Sequence, residues 1–318
     1  VKSLADLHEG SLRVESETGK GTTFTFRIFT ENTYPDALHK EEKAESIPER
    51  PENLKEEDND ILPVILIVED NDDIREYIAT SFSNNYHIMT ATNGKEGIEQ
   101  ALKYIPDIII SDIMMPVMDG IELCKLIKED VRTSHIPVIL LTAKDSIQDK
   151  EEGYESGADS YLTKPFSAKL LHSRVHNLLE SRKKLASLIT NRTKGLKAEQ
   201  SQEAIKLSRL DEEFLNRFTA IVEENIDMDK LDMSFMMDKM NMSHSTLYRK
   251  IKGLTGISCN EFIRKIRLKN SLRLLMEESL NVSEAAYASG FNDLGYFRTC
   301  FKEEYGMVPS EYIKQQKL

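Results

Sequence analysis

A chain of 318 residues, 40% hydrophobic and 30% charged, is long enough to hold two or more domains with packed cores. Its 54 acidic residues against 42 basic ones, a formal charge of −12, exclude a uniformly basic nucleic-acid coat but leave room for a local basic patch. Three widely spaced cysteines, Cys124, Cys259 and Cys300, argue against a disulfide framework or a Cys-x-x-Cys metal site, and no apolar run approaches the ~18 residues of a bilayer span. The expectation is a soluble, cytoplasmic polypeptide without membrane contact, which begins at Val1 as a piece of a longer one.

Residues 1–30 read as a helix end at Leu4–His8, a strand over Ser11–Glu17, a glycine turn and a second strand over Thr22–Ile28. Residues 31–62 form an acidic linker: positions 31–60 carry eleven acids against four bases, with Pro35, Pro48 and Pro51 and few large apolar residues. From residue 63 short β-branched runs alternate with helical ones. Strands are predicted at Val64–Val68, Asp107–Ser111, Pro137–Leu141 and Tyr161–Thr163, and helices at Ile74–Phe82 and Ile121–Lys128. This alternation predicts a parallel α/β sheet. Residues 183–210 are rich in Lys and Arg without strand signals and read as a basic helical connector. From 211 to 318 the apolar spacing is helical, with breaks at Asn241–Ser243, Gly253–Gly256, Asn281, Gly290–Phe291 and Gly306–Pro309.

In a parallel sheet the strand C-termini share one edge, which brings Glu69 and Asp70 together with Asp112, Thr142 and Lys164. Crowded carboxylates repel one another unless a cation is present, and a small all-oxygen set suits Mg²⁺. Thr142 and Lys164 are placed to donate to a phosphoryl group on Asp112, so the edge reads as a site of phosphoryl transfer onto a carboxylate. His172 and His176, four apart, lack the Glu of a His-Glu-x-x-His motif, and Cys124 reads as helix core.

The segments Ile67–Asn71, Asp112–Gly120, Leu141–Lys144 and Lys164–Phe166 together resemble a two-component response-regulator receiver domain over residues 63–182. The resemblance implies a flavodoxin-like, doubly wound five-stranded parallel sheet. It also implies Asp112 as the phosphoacceptor, Mg²⁺ held by Asp70, Asp112 and the Met114 carbonyl with Glu69 in the outer shell, and Tyr161 as an aromatic that reorients on activation.

Further on, Phe235–Met240, a break, and Ser243–Lys252 make helix, turn, helix, with Ser243, His244 and Ser245 opening the second helix and Tyr248, Arg249 and Lys252 following. Residues 241–275 hold eight bases against Glu261 alone, the basic patch that the whole-chain charge conceals. A second unit runs from Val282 to Glu304 and offers Asn292, Tyr296, Arg298, Thr299 and Lys302. The motif Ser245–Lys250, with Gly290-Phe291, Tyr296-Phe297, Phe301-Lys302, Gly306 and Pro309-Ser310, resembles an all-α AraC-type DNA-binding domain, its two units joined by a helix over Asn260–Met276. Cys259, where that family usually has Pro, and Gly295, where a small hydroxyl is frequent, depart from it.

Residues 1–30 look like the closing hairpin of a histidine-kinase ATPase domain, without its nucleotide-binding boxes. Kinase remnant, receiver and AraC-type domain together resemble the C-terminal part of a Bacteroidetes-like hybrid two-component protein. That implies a phosphorylation-gated transcription regulator with no catalysis of its own beyond self-phosphorylation at Asp112. It also implies a phosphohistidine kinase domain in the same inner-membrane parent, an operator with two major-groove segments per chain, and a homodimer when phosphorylated. Two rivals are an aspartyl-phosphate-forming phosphohydrolase, which would want an Asp-x-Asp near the first strand, and a phosphorelay module without DNA binding.

Overall fold

The computed structural model describes residues 11–17, 21–27, 62–143, 157–192, 207–228, 231–278 and 280–316. The first unit of the chain contributes an antiparallel hairpin, β1 (Ser11–Glu17) and β2 (Gly21–Arg27), in register from Ser11 opposite Arg27 to Glu17 opposite Gly21. The helix end expected at Leu4–His8 and the linker lie outside the described residues.

In the second unit, β3 (Val64–Val68), β4 (His87–Ala91), β5 (Ile108–Asp112), β6 (Val138–Thr142) and β7 (Ser160–Thr163) form a parallel sheet in the order β4-β3-β5-β6-β7. β3, β5 and β6 are buried on both faces, which is why their sequences are nearly unbroken aliphatic runs. Alternate residues supply two cores. Leu66, Val68, Ile109 and Leu140 pack one face with α2 (Gly94–Tyr104) and α3 (Gly120–Glu129). Ile65, Ile67, Ile110 and Leu141 pack the other with α1 (Asp72–Phe82) and the start of α4 (Ala168–Arg192). Asn71, Asn93 and Asp119 cap α1, α2 and α3, each accepting from a backbone N–H of the first turn. Cys124 is wholly buried, and the ring of His172 stacks on Phe82 at 4.0 Å.

The helical part comprises α5 (Arg209–Glu224), α6 (Met233–Met240), α7 (His244–Thr255), α8 (Cys259–Met276), α9 (Val282–Ala288), α10 (Leu294–Tyr305) and α11 (Pro309–Gln316). α8 joins two cores: its first half packs with Phe214, Phe218, Met236, Leu247 and Ile251, its second with Ala285, Phe291, Phe297 and Phe301. Cys259 takes the first helical position, with Ser258 as the cap that accepts from the Glu261 N–H. Met236 and Met240 are core, and Asn281 with Glu284 closes a reciprocal capping box at α9.

Two features sharpen the sequence reading. α4 runs without a break across residue 182: Leu171 and Val175 belong to the sheet's core, while Ile189, two turns past that boundary, belongs to the core of the first helix-turn-helix unit. Gly253 does not end a helix. α7 continues to Thr255 and stops at Gly256, whose φ of +74° is the left-handed cap that glycine favours.

Candidate functional site

The acidic edge is assembled from strand ends. Glu69 and Asp70 follow β3, Asp112 ends β5, and one carboxylate oxygen from each lies within 4.8 Å of the others. Glu69 is 1% exposed and Asp112 8%, while Asp70 faces solvent. Lys164, just past β7, reaches back across the edge: its Nζ donates to Glu69 Oε2 at 2.7 Å and lies 3.0 Å from Asp112 Oδ1. Its backbone N–H donates to the Thr142 carbonyl at 2.6 Å, and Thr142 stands one residue beyond Leu141, the register partner of Asp112.

The electrostatics follow from burial. Burial raises the Glu69 carboxyl above its ordinary value, the Lys164 hydrogen bond opposes this, and the Asp112 carboxylate pushes it up again. Burial works against the Lys164 ammonium too, but Glu69 and Asp112 outweigh it and its pKa rises. One cation facing three carboxylates leaves negative charge uncompensated, and the all-oxygen donor set fits a hard divalent ion.

The loop after β5 is built close to the site. A Cβ at Gly120 would stand 2.0 Å from the Asp112 carbonyl oxygen, so only glycine lets α3 start there, and the Gly120 N–H donates to the Ile113 carbonyl at 2.9 Å. Met114 is 66% exposed beside Asp112. Val117 takes a left-handed φ of +72°, an uncommon conformation for a β-branched residue. Tyr161 is half-buried on β7 and packs against the core on the α2 and α3 face.

The candidate reading helices are α7 and α10. At α7, Ser243 is the N-cap, His244 and Ser245 are exposed, and the imidazole of His244 lies parallel to the Tyr248 ring at 6.3 Å. Tyr248 and Arg249 are half-buried, and Lys252 is exposed with its Nζ 5.7 Å from the Tyr248 ring centre. At α10, Arg298, Thr299 and Lys302 are exposed, as is Asn292 just before it, whereas the Tyr296 hydroxyl accepts from Arg264 at 3.4 Å. Four bases of the basic patch already face a carboxylate: Lys250 is fully buried against Asp211 at 2.6 Å, Lys265 pairs with Glu304, Arg273 with Glu278 at 2.7 Å and Arg264 with Glu261 at 4.0 Å.

Comparison with known proteins decides what this arrangement is. Residues 65–176 match the response regulator receiver domain family, and residues 236–315 match a helix-turn-helix domain family of AraC type. The chain carries a receiver domain joined to an AraC-type helix-turn-helix domain. It is 36% identical over 330 aligned positions to histidine kinase P4 of Formosa agariphila, an alignment that covers 98% of this chain and 24% of that protein. The receiver is 40% identical to the DNA-binding dual master transcriptional regulator RpaA of Synechocystis, covering 37% of this chain and 49% of the regulator. The Francisella response regulator 1452 receiver domain is 39% identical, with a TM-score of 0.36, 37% of this chain and 98% of that one being covered. Receiver and AraC-type matches, together with the histidine kinase relative, connect the chain with two-component signalling. The chain spans about a quarter of that relative's length. No helix among the described residues is long and apolar enough to cross a membrane.

Sequence reasoning left several residues of this region unread. Asp107 is read only as the start of a strand, and Ser134, His135 and Asp211 look like ordinary loop and helix residues with no local signal to single them out.

Proposed function

We propose that the receiver takes a phosphoryl group on Asp112 from a phosphohistidine of the kinase part of the same parent protein, and that this gates DNA binding by α7 and α10. The observation that supports it most is the Lys164 ammonium lying between Glu69 and Asp112, a cation held where a phosphoryl group on Asp112 would place its oxygens. In the transfer, an Asp112 carboxylate oxygen attacks phosphorus, the P–N bond breaks, and its electron pair returns to the imidazole of the donor. Lys164 then exchanges its contact with Asp112 for one with the phosphoryl group, and Thr142 donates to a second phosphoryl oxygen. Asp70, Asp112 and the Met114 carbonyl would hold Mg²⁺, with Glu69 behind them, and the ion would neutralise charge between carboxylate and phosphoryl oxygens. Tyr161 turning inward, the closing of a homodimer on the receiver, and a cytoplasmic regulator within a membrane-anchored parent complete this reading. So do the boundaries of remnant, linker, receiver, connector and DNA-binding domain.

On the DNA side, Ser243, His244, Ser245, Tyr248, Arg249 and Lys252 are the candidates of the first helix, and Asn292, Tyr296, Arg298, Thr299 and Lys302 those of the second. Phosphorylation is tested by intact-mass measurement after incubation with a small phosphoramidate and Mg²⁺. Wild type should gain one phosphate and Asp112→Asn none; an adduct that persists in Asp112→Asn would remove Asp112 from the role.

A further inference from the structure

α8 turns much of its charge inward. Of its five bases, Lys269 and Arg273 are exposed, whereas Arg264, Lys265 and Arg267 are half-buried and held by other elements of the helical part. The Lys265 ammonium pairs with the Glu304 carboxylate of α10, and only 12% and 9% of the two side chains are exposed. Arg264, 4.0 Å from Glu261 of its own helix, donates to the Tyr296 hydroxyl of α10 at 3.4 Å. Arg267 serves a second junction, between the turn that opens the second helix-turn-helix unit and the segment joining α5 to α6. Its Nη2 donates to the Met228 carbonyl at 2.9 Å, and a Cβ at Gly290 would stand 2.9 Å from Arg267 Cζ and 2.1 Å from the Ile226 carbonyl oxygen. Gly290 has a φ of +77°, so glycine alone lets the two units approach this closely.

We propose that Arg264, Lys265 and Arg267 are positioning residues and not phosphate contacts: they clamp α10 at one distance and angle from α7, which makes the separation of the two DNA segments a determinant of specificity. This rests on the reading of α7 and α10 as DNA-binding helices. A base that binds phosphate must have its charge to offer when DNA arrives. The Lys265 ammonium is already spent on a nearly buried carboxylate, and moving it to a phosphate would leave Glu304 unpaired in a site of low exposure, the costly outcome for an ion pair.

The geometry of the ties is that of a clamp. Tyr296 and Glu304 lie about two turns apart on α10, so the two contacts fix the rotation of that helix as well as its distance, where one alone would leave a pivot. α8 cannot impose this by chain continuity, because α9 and two turns intervene before α10 begins. Arg267 and Gly290 add a junction at the opposite end of the second unit, and Asn270 donates beside it to the buried Ser289 hydroxyl at 3.2 Å. One inserted base pair moves a DNA segment by about 3.4 Å along the axis and turns it by roughly 35° around it. Two helices clamped to each other meet both segments at one separation, whereas a loose pair could follow the displaced one.

The test uses the full chain, treated with a small phosphoramidate and Mg²⁺, and a random-sequence duplex library as probe. Wild type should select duplexes whose two segments stand at a single separation, and one base pair inserted between them should weaken binding roughly ten-fold or more. Lys265→Ala combined with Glu304→Ala removes both charges and strands neither. It should tolerate the insertion within about two-fold while keeping the wild-type salt dependence, whereas a lost phosphate contact would lower the log–log slope by about 0.9. Arg267→Met, which keeps the apolar stem, carries the same expectations and replaces the double variant should that fail to fold. The clamp is also read without DNA. With spin labels on Ser245→Cys and Arg298→Cys, the three native cysteines being buried, the distance between α7 and α10 should be narrowly distributed in the parent chain and broad in the variants. An insertion penalty that persists in the variants would overturn the proposal, as would a slope lowered by about 0.9, which would make these bases phosphate contacts. If wild type selects no duplex, the DNA-binding reading fails first, and equal label distributions in parent and variant would then overturn the clamp itself.

Discussion

Asp112 and Glu69 face each other with only Lys164 between them, so removing one carboxylate should relieve the folded state. In metal-free buffer at neutral pH, Asp112→Asn is expected to raise stability by about 1 kcal/mol, the usual scale of a single substitution, and added Mg²⁺ should narrow the gap by stabilising wild type alone; urea titration measures both. The pH dependence has a definite sign. Glu69 titrates above its ordinary 4.5 in the folded chain, so its contribution to stability is present below 4.5 and lost as pH rises through the raised value. Asp112→Asn should flatten that fall. Val117 poses a backbone question instead: it is 80% exposed at a φ of +72°, so its side chain buries little while its conformation is strained. Val117→Gly is expected to stabilise by roughly 0.5–1 kcal/mol despite glycine's entropy, and a lower thermal midpoint would contradict it.

Among the elements, those buried on two faces were the ones the sequence revealed. Val64–Val68 and Val138–Leu141 are unbroken aliphatic runs because nothing polar can sit there, and the acidic edge follows once their C-termini are aligned. β4 completes the five strands that the resemblance implied, but the sequence did not locate it: as an edge strand with an exposed His87 and Thr90 it has no run to read. Within the break expected at Gly253–Gly256 the cap is Gly256, whereas Gly253 clears space for a ring from a segment more than a hundred positions earlier, which no local spacing discloses. Lys250 misled for a related reason: it counted toward the basic patch, yet its partner Asp211 is 39 positions away and no local spacing discloses the pair. Because that pair is buried, Lys250→Ala should strand the Asp211 carboxylate and cost about 3–5 kcal/mol. Replacing both residues with Met and Leu should recover most of it, as read by denaturant midpoint.

At the scale of the whole second unit, α4 is the shared part: its first half is core to the sheet beside β7 and Lys164, and its second half is core to the first helix-turn-helix unit. A rearrangement at Lys164 therefore has a rigid element to act through.

The most direct measurement is the affinity of one preparation for one duplex before and after phosphorylation, with the extent of modification fixed by intact mass and Asp112→Asn carried alongside. Expected is a five- to 150-fold gain on phosphorylation, the range of about 1–3 kcal/mol usual for such couplings, and none in Asp112→Asn. Equal affinity before and after, in a chain shown to carry one phosphate on Asp112, would contradict gating of DNA binding by this receiver.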